Sequence, residues 1–354
     1  MPTTFSLILF LLLYFMSPSW DHLELSKRRK ILMFLFFICV LIIGIRNPGY
    51  WIDTWAYVQS FYGSKTLATF SFTDNYAAYS EKGYYLLCVI IKTFSDSSLV
   101  YLSVIGLLSM TFFFTALRRY CVLPVLGLCI YIARYMLARD MNQMRAGLAI
   151  SIVIAFTYLL SVGSKKNELK YILVCWLASF IHISMLAAIA IVIFNHIKLT
   201  KLWIYLGIVI SFFVSAVFAP QIIDFISQSD IIQEMAKDYV DKEGESQNAF
   251  ANDLTNPMIH YQWIILFVYT YLEDRIVPMT KYYFVFRNGY FLSTIILIIL
   301  CQYAVLSARV STIFATFEVF MIPLIIKALP KQLRILAYIG LLIPMYVFFM
   351  YNIR

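Results

Sequence analysis

Six stretches of this chain each run for roughly twenty residues without an Asp, Glu, Lys or Arg: 99–117, 146–164, 202–223, 254–272, 288–308 and 335–353. A run of that length and apolarity matches the thickness of a bilayer's hydrocarbon core. Lipid offers no hydrogen-bond partner to the backbone, so a spanning segment must be a helix or a strand of a closed barrel. Barrel strands alternate apolar and polar residues, and these runs do not. The expectation is an all-α polytopic membrane protein, with residues 1–354 forming one transmembrane domain. Composition agrees: 62% of the 354 residues are hydrophobic and 13% are charged, about half the charged share of a soluble domain. The six cysteines (39, 88, 121, 129, 175 and 301) lie in or beside apolar segments without metal or redox spacing, and read as packing residues. Residues 5–16 have no basic residue before them and no small-residue cleavage site, so they read as a helix and not as a signal peptide.

The net charge of +9 would fit a nucleic-acid binder, but the charges sit mostly in short loops between apolar runs. Nucleic acid is therefore not an expected partner; the lipid bilayer is. Basic residues in short loops mark the cytoplasmic side. Lys27 to Lys30, Arg118–Arg119, 165–170, 198–201, 275–287 and 327–334 hold more than half of the 28 basic residues. With those loops inside, about twelve crossings result, with both termini outside. Two long connections, 47–97 and 220–257, then face outward. The count requires 171–197 to turn back on itself. At ~1.5 Å per residue its 27 residues are too short for two full crossings, so a short hairpin is expected with its apex near His182. Residues 83–94 are apolar but too short to span, and are expected to form an interfacial or re-entrant helix with Glu81 at its start. Within the second outer connection, 231–240 carry apolar residues at helical spacing and predict an amphipathic helix.

Five arginines, Arg46, Arg134, Arg139, Arg145 and Arg309, fall at or near outer helix ends in this topology. One such arginine is ordinarily a snorkelling anchor. Five on the side that basic residues avoid point to an anionic ligand, since the guanidinium fork suits phosphate and keeps its charge; a lipid diphosphate is the natural candidate. In the first outer connection Tyr50, Trp51, Trp55 and Tyr57 surround Asp53. The rings and the carboxylate suit a sugar, while an interfacial aromatic belt would account for the rings alone. His182 is an ionisable group expected within the membrane, where such groups are costly and commonly functional. Histidine as a residue type titrates near neutrality, as a general base must. Glu318 lies in an apolar helix without an assigned role. No phosphate-binding glycine loop, metal-ligand spacing or nucleophile elbow occurs, so no cofactor or metal is expected.

Read together, these segments resemble the EpsG-type branch of the Wzy polymerases, which make O-antigen and exopolysaccharide. The resemblance covers nearly the whole chain. It rests on Arg46 followed by Gly49-Tyr50-Trp51-Ile52-Asp53-Thr54-Trp55-Ala56-Tyr57, on Glu81-Lys82-Gly83-Tyr84, on Arg145-Ala146-Gly147, on the stretch from Ala178 through His182 to Ser184, and on Ser307-Ala308-Arg309-Val310-Ser311. It implies a glycosyltransferase of the bacterial inner membrane, facing the periplasm. Its donor and acceptor would be oligosaccharides on undecaprenyl diphosphate, and a chain-length regulator is a further implied partner. Catalysis would rest on His182, Arg145 and Asp53, with either His182 or Asp53 as base. Arg46, Tyr50, Trp51, Trp55, Tyr57, Glu81, Arg134, Arg139 and Arg309 would bind substrate. Three rivals remain at this point: a metal-dependent glycosyltransferase using a lipid-monophosphate sugar with Asp53 as ligand, a flippase for lipid-linked oligosaccharide, and an acyltransferase acting on surface sugars.

Overall fold

The computed structural model describes residues 2–71, 81–197, 199–228, 253–302 and 304–353. The amphipathic segment expected at 231–240 lies outside them. Every regular element among the described residues is helical. Four helices among the described residues are long and apolar enough to cross a membrane: Ser98–Tyr120, Met144–Val162, Lys201–Phe218 and Lys331–Asn352. The pair Ser307–Ala315 and Glu318–Ala328, bent by 46°, makes a fifth if it is one span. A membrane protein follows. On length and composition the described residues supply four or five such spans, with shorter apolar helices between them, so the expected twelve crossings are not confirmed.

The chain divides into two compact units, Met1–Leu186 with Ile326–Arg354, and Ala187–Ile325. The first unit begins with α1 (Pro2–Trp20) and α2 (Leu25–Gly44). Asn47 then accepts a hydrogen bond from the Gly49 amide at 3.0 Å, and Pro48 opens a short 3-10 turn. An Asn side chain occupies an otherwise orphaned amide, and proline costs nothing at a first helical position. The same Asn-Pro device starts a helix at Asn256-Pro257. Next come α3 (Ile52–Tyr62), α4 (Lys82–Phe94) and α5 (Ser98–Tyr120). The short apolar stretch after Glu81 is thus a 13-residue helix, about 20 Å long at the α-helical rise. Phe61, Tyr84, Tyr101, Cys88 and Met144 pack into one buried cluster joining α3, α4 and α5. Phe61 stacks on Tyr101 with centroids 4.4 Å apart, and the Tyr84 and Tyr101 hydroxyls pair at 2.8 Å. Burying each such ring contributes about 2 kcal/mol.

After α6 (Pro124–Tyr131) the helix widens into a π-helix, Ile132–Asp140. Its i→i+5 pattern continues in the Met141 amide to Met136 carbonyl bond of 3.0 Å. The chain breaks at 141–143 and starts again as α7 (Met144–Ala155), followed by a 3-10 turn Thr157–Val162 and α8 (Lys165–Ser179). Near His182, where the sequence leads one to expect the apex of a short hairpin, α8 stops at Ser179, a 3-10 helix Ile183–Ile189 follows, and α9 is Ala190–His196.

In the second unit, α10 (Lys201–Gln228) runs past position 220, where the outer connection was expected to begin. Then come α11 (Pro257–Tyr271), the single turn α12 (Glu273–Ile276), α13 (Tyr283–Ile299), α14 (Ala304–Ala315) and α15 (Glu318–Ala328). The apolar run 288–308, expected as one span, is two helices. α13 ends at Ile299, and α14 returns against it, with the Ser293 hydroxyl donating to the Ser311 carbonyl at 2.7 Å. Arg287, counted among loop cations, is fully buried in α13. It holds Glu273 at 2.7 Å and the Leu199 carbonyl at 2.6 Å. Glu318 is buried and accepts from the Tyr290 hydroxyl at 3.0 Å. The last helix, α16 (Lys331–Ile353), belongs to the first unit. Phe349 stacks on Phe10, and the Asn352 amide donates to the Ala133 carbonyl at 3.0 Å.

Candidate functional site

Within the first unit, the segments singled out in the sequence converge on Glu81. This residue occupies the capping position before α4, with extended backbone (φ −98°, ψ 114°), yet its side chain makes no capping bond. An acid there ordinarily satisfies its own helix's amides. Glu81 instead reaches outward. One oxygen, Oε2, pairs with Arg145 Nη1. The other, Oε1, accepts from the Ile183 amide at 3.3 Å and lies 3.7 Å from His182 Nδ1. A single buried carboxylate thus links a guanidinium on α7 to the imidazole in the turn after α8.

Backbone contacts hold this arrangement. The Tyr84 amide donates to the Phe180 carbonyl at 3.1 Å. Gly83 makes that approach possible: a Cβ there would stand 2.7 Å from both the Cβ and the carbonyl oxygen of Phe180. His182 Nδ1 also faces the Ser184 hydroxyl at 3.3 Å, so Nε2 is the nitrogen turned away from Glu81 and Ser184.

Arg145 sits in the first turn of α7, where the helix dipole disfavours a cation. Glu81 compensates for that placement. Arg145 Nε donates to the Tyr57 hydroxyl at 3.3 Å, and the guanidinium lies 5.2 Å from the Tyr57 ring centroid. Its Nη2 makes no hydrogen bond among the described residues, and the side chain is 18% exposed. Tyr57 comes from α3, which is docked on the 141–142 break. There the Thr54 hydroxyl donates to the Met141 carbonyl at 2.6 Å, and the Asp53 amide donates to Asn142 Oδ1 at 3.1 Å. Asp53 is one turn before Tyr57 and so shares its helix face. Its half-buried carboxylate has no hydrogen bond or ion pair among the described residues.

Arg46 is buried behind this cluster. It donates to the Ile43 carbonyl and to the sulfur of Met144, the neighbour of Arg145, while its Nε is buried without a partner. Arg139 is also buried, 3.9 Å from the Tyr135 ring centroid. Arg134 lies over Phe348 of α16 at 4.3 Å. Of the loop aromatics, Trp51 is buried while Tyr50 and Trp55 are exposed. Arg309 lies half-buried in α14 of the second unit, as does His260 in α11, whose Nδ1 accepts from Trp263 Nε1 at 3.2 Å.

Asp140 escaped the sequence reading. It is buried and accepts from the Ser109 hydroxyl at 2.5 Å and the Tyr131 hydroxyl at 2.6 Å, anchoring the end of the π-helix to α5 and α6. An acid inside an apolar stretch was the available signal. Among the described residues no group of three or more His, Cys, Asp or Glu is placed to hold a metal ion.

An all-helical membrane protein with a buried carboxylate joining arginine to histidine at a helix break defines a class: polytopic proteins with polar chemistry at a helix-lined site. Within that class the chain belongs to the EpsG family, whose model matches residues 29–354. It is also similar to the amylovoran biosynthesis protein AmsC of Erwinia amylovora, with 22% identity over 324 residues, covering 87% of this chain and 82% of that protein. No solved structure matches the chain.

Proposed function

We propose that this protein is a polysaccharide repeat-unit polymerase of the bacterial inner membrane, acting at the periplasmic face on oligosaccharides carried by undecaprenyl diphosphate. The observation that carries the proposal is Glu81, whose two oxygens engage Arg145 and His182 separately. Membership of the EpsG family and likeness to an amylovoran biosynthesis protein support it.

In the reaction, the acceptor sugar hydroxyl attacks the anomeric carbon of the donor chain. The new glycosidic C–O bond forms as the bond to the diphosphate breaks. His182 takes the hydroxyl proton on Nε2, and Glu81 stabilises the imidazolium from the Nδ1 side. Arg145 keeps two N–H donors on Nη2 for a diphosphate oxygen and offsets the charge that builds on the leaving group. Buried Arg46 adds positive potential from behind Met144. Asp53 and the exposed rings of Tyr50 and Trp55 hold sugar hydroxyls and faces. No nucleotide sugar enters.

The test is to incubate purified protein with a lipid-linked repeat unit alone and resolve the products by size. A ladder of products is expected, and Arg145→Lys and His182→Ala should remove it. A flippase would yield no ladder. Loss of the ladder on adding a chelator, restored by a divalent cation, would favour the metal-dependent transferase instead.

A further inference from the structure

The α2–α5 pair that ends at Arg46 carries a second feature at its other end. Near Arg46 the two helices are drawn together by small residues. A Cβ on Gly44 would come 2.3 Å from the Ser103 hydroxyl, and one on Gly106 would come 2.6 Å from Ile43. Toward the start of α2 and the end of α5 they leave a groove instead. Its first part is a cavity of about 380 Å³ lined by Arg28, Arg29, Arg118 and Arg119 beside Cys121 and Pro124. Its second part, about 320 Å³, is lined by Met33, Phe36, Phe37 and Phe114. The two parts share Arg29, Leu32, Thr115 and Arg118, so they form one channel, cationic at one end and apolar along the helices.

No acid lines either part, and none of the four arginines pairs with a carboxylate among the described residues. Arg28 donates to the Asp21 backbone carbonyl at 3.2 Å. Arg119 donates to the Ala155 carbonyl at 3.1 Å and lies over the Tyr158 ring at 4.0 Å. Both are held in place by these contacts. Asp21, the nearby acid, accepts from the Val125 and Leu126 amides at 2.8 and 3.0 Å. The apolar end opens on a surface that exposes Met33, Phe34 and Phe37, as a lipid-facing groove would. Seventeen residues separate Arg29 from Arg46, about 26 Å of helix, so the groove and the Arg145 cluster sit near opposite faces of a bilayer.

We infer that this groove is a binding site for an anionic glycerophospholipid of the cytoplasmic leaflet, with its phosphate among Arg28, Arg29, Arg118 and Arg119 and one acyl chain along Phe36, Phe37 and Phe114. Guanidinium forks match phosphate oxygens, and basic pockets between helices on the cytoplasmic side suit anionic head groups. The apolar continuation separates a lipid from free phosphate, which would gain nothing from it. The site stands independently of the polymerase reading.

The test uses purified full-length protein, delipidated in neutral detergent and offered dioleoyl-phosphatidylglycerol or dioleoyl-phosphatidylcholine, with bound lipid counted by native mass spectrometry. One phosphatidylglycerol should be retained in preference to phosphatidylcholine. Arg29→Gln with Arg118→Gln, both on exposed positions, should weaken retention by about tenfold or more, from roughly 1 kcal/mol per cation. Thr115→Trp, which fills the junction of the two parts, should also weaken it while leaving the melting temperature unchanged. Excess inorganic phosphate should not displace the lipid. Equal retention of the two lipids, displacement by phosphate alone, or wild-type retention by both variants would overturn the inference.

Discussion

Replacing Gly83 with alanine tests the architecture of the site without touching a charged group. The added Cβ would stand 2.7 Å from the Cβ and from the carbonyl oxygen of Phe180. One of those atoms is backbone, so no rotamer change relieves the clash. Non-bonded carbons rest at about 3.5 Å or more, so α4 and the 180–184 turn must separate by roughly 0.8 Å. That separation stretches the 3.1 Å Tyr84–Phe180 bond and the 3.3 Å bond from the Ile183 amide to Glu81. Overpacking of this kind costs about 1–3 kcal/mol, and a lost hydrogen bond about 1 kcal/mol more. The stability loss should thus be about 2–4 kcal/mol. Because the shift moves Glu81 away from His182, product formation should fall by about 100-fold, the cost typical of a misplacement near 1 Å. The variant should be compared with wild type for melting temperature in detergent and for the product ladder at matched protein level. Unchanged melting together with full activity would refute the claim that this close approach positions the site.

Further outcomes follow from the same geometry. Glu81→Gln should destabilise the protein by about 1–3 kcal/mol, because it leaves the half-buried Arg145 without its counter-charge; a double cycle with Arg145→Gln, read by thermal melting, should show coupling above about 1 kcal/mol, and simple additivity would mean the pair is not coupled. His182→Ala should abolish the ladder while His260→Ala, altering a residue that serves Trp263 in the other unit, should leave it nearly intact; the reverse pattern in a turnover assay would move the base elsewhere. Asp21, in the connection between α1 and α2, has its carboxyl pushed by burial from 3.8 to about 6. A raised value favours the fold below about pH 4 and loses that benefit as pH rises through 6, so wild-type stability relative to Asp21→Asn should drop by about 3 kcal/mol between pH 4 and pH 7; a pH-independent difference in melting would show that Asp21 does not titrate with folding.

Helices with one continuous apolar run were legible in the sequence. The run 99–117 became Ser98–Tyr120, and 335–353 became Lys331–Ile353, because length and apolarity are local properties. A helix end near His182 was legible from charge: a single crossing there would put the following basic loops outside, and α8 stops at Ser179. The turn between α13 and α14 was not, since Cys301 and Gln302 bring neither charge, proline nor glycine to interrupt hydrophobicity. Pairings between distant segments were also hidden. Arg287 looked like a loop cation until Glu273, fourteen residues earlier, was found beside it. Glu318 had no reading without Tyr290, and Asp140 none without Ser109 and Tyr131. Glu81 was visible as a polar residue at a helix start. That its two oxygens serve Arg145 and His182 depends on the docking of α4 against α7 and the 180–184 turn, which no local pattern encodes.

The π-helix at Ile132–Asp140 has a consequence for how this chain tolerates length changes. Wider turns take up more residues than an α-helix would over the same number of turns. Deleting a single residue there would let the segment relax to α geometry over about the same number of turns, whereas the same deletion inside a regular α-helix turns everything downstream by about 100°. Asp140 would then stay near Ser109, and Arg145 would begin α7 beside the same neighbours. The segment therefore acts as slack between the buried helix before it and the charged cluster after it. A one-residue deletion that would throw a neighbouring regular helix out of register would here leave the arginine pointing the same way.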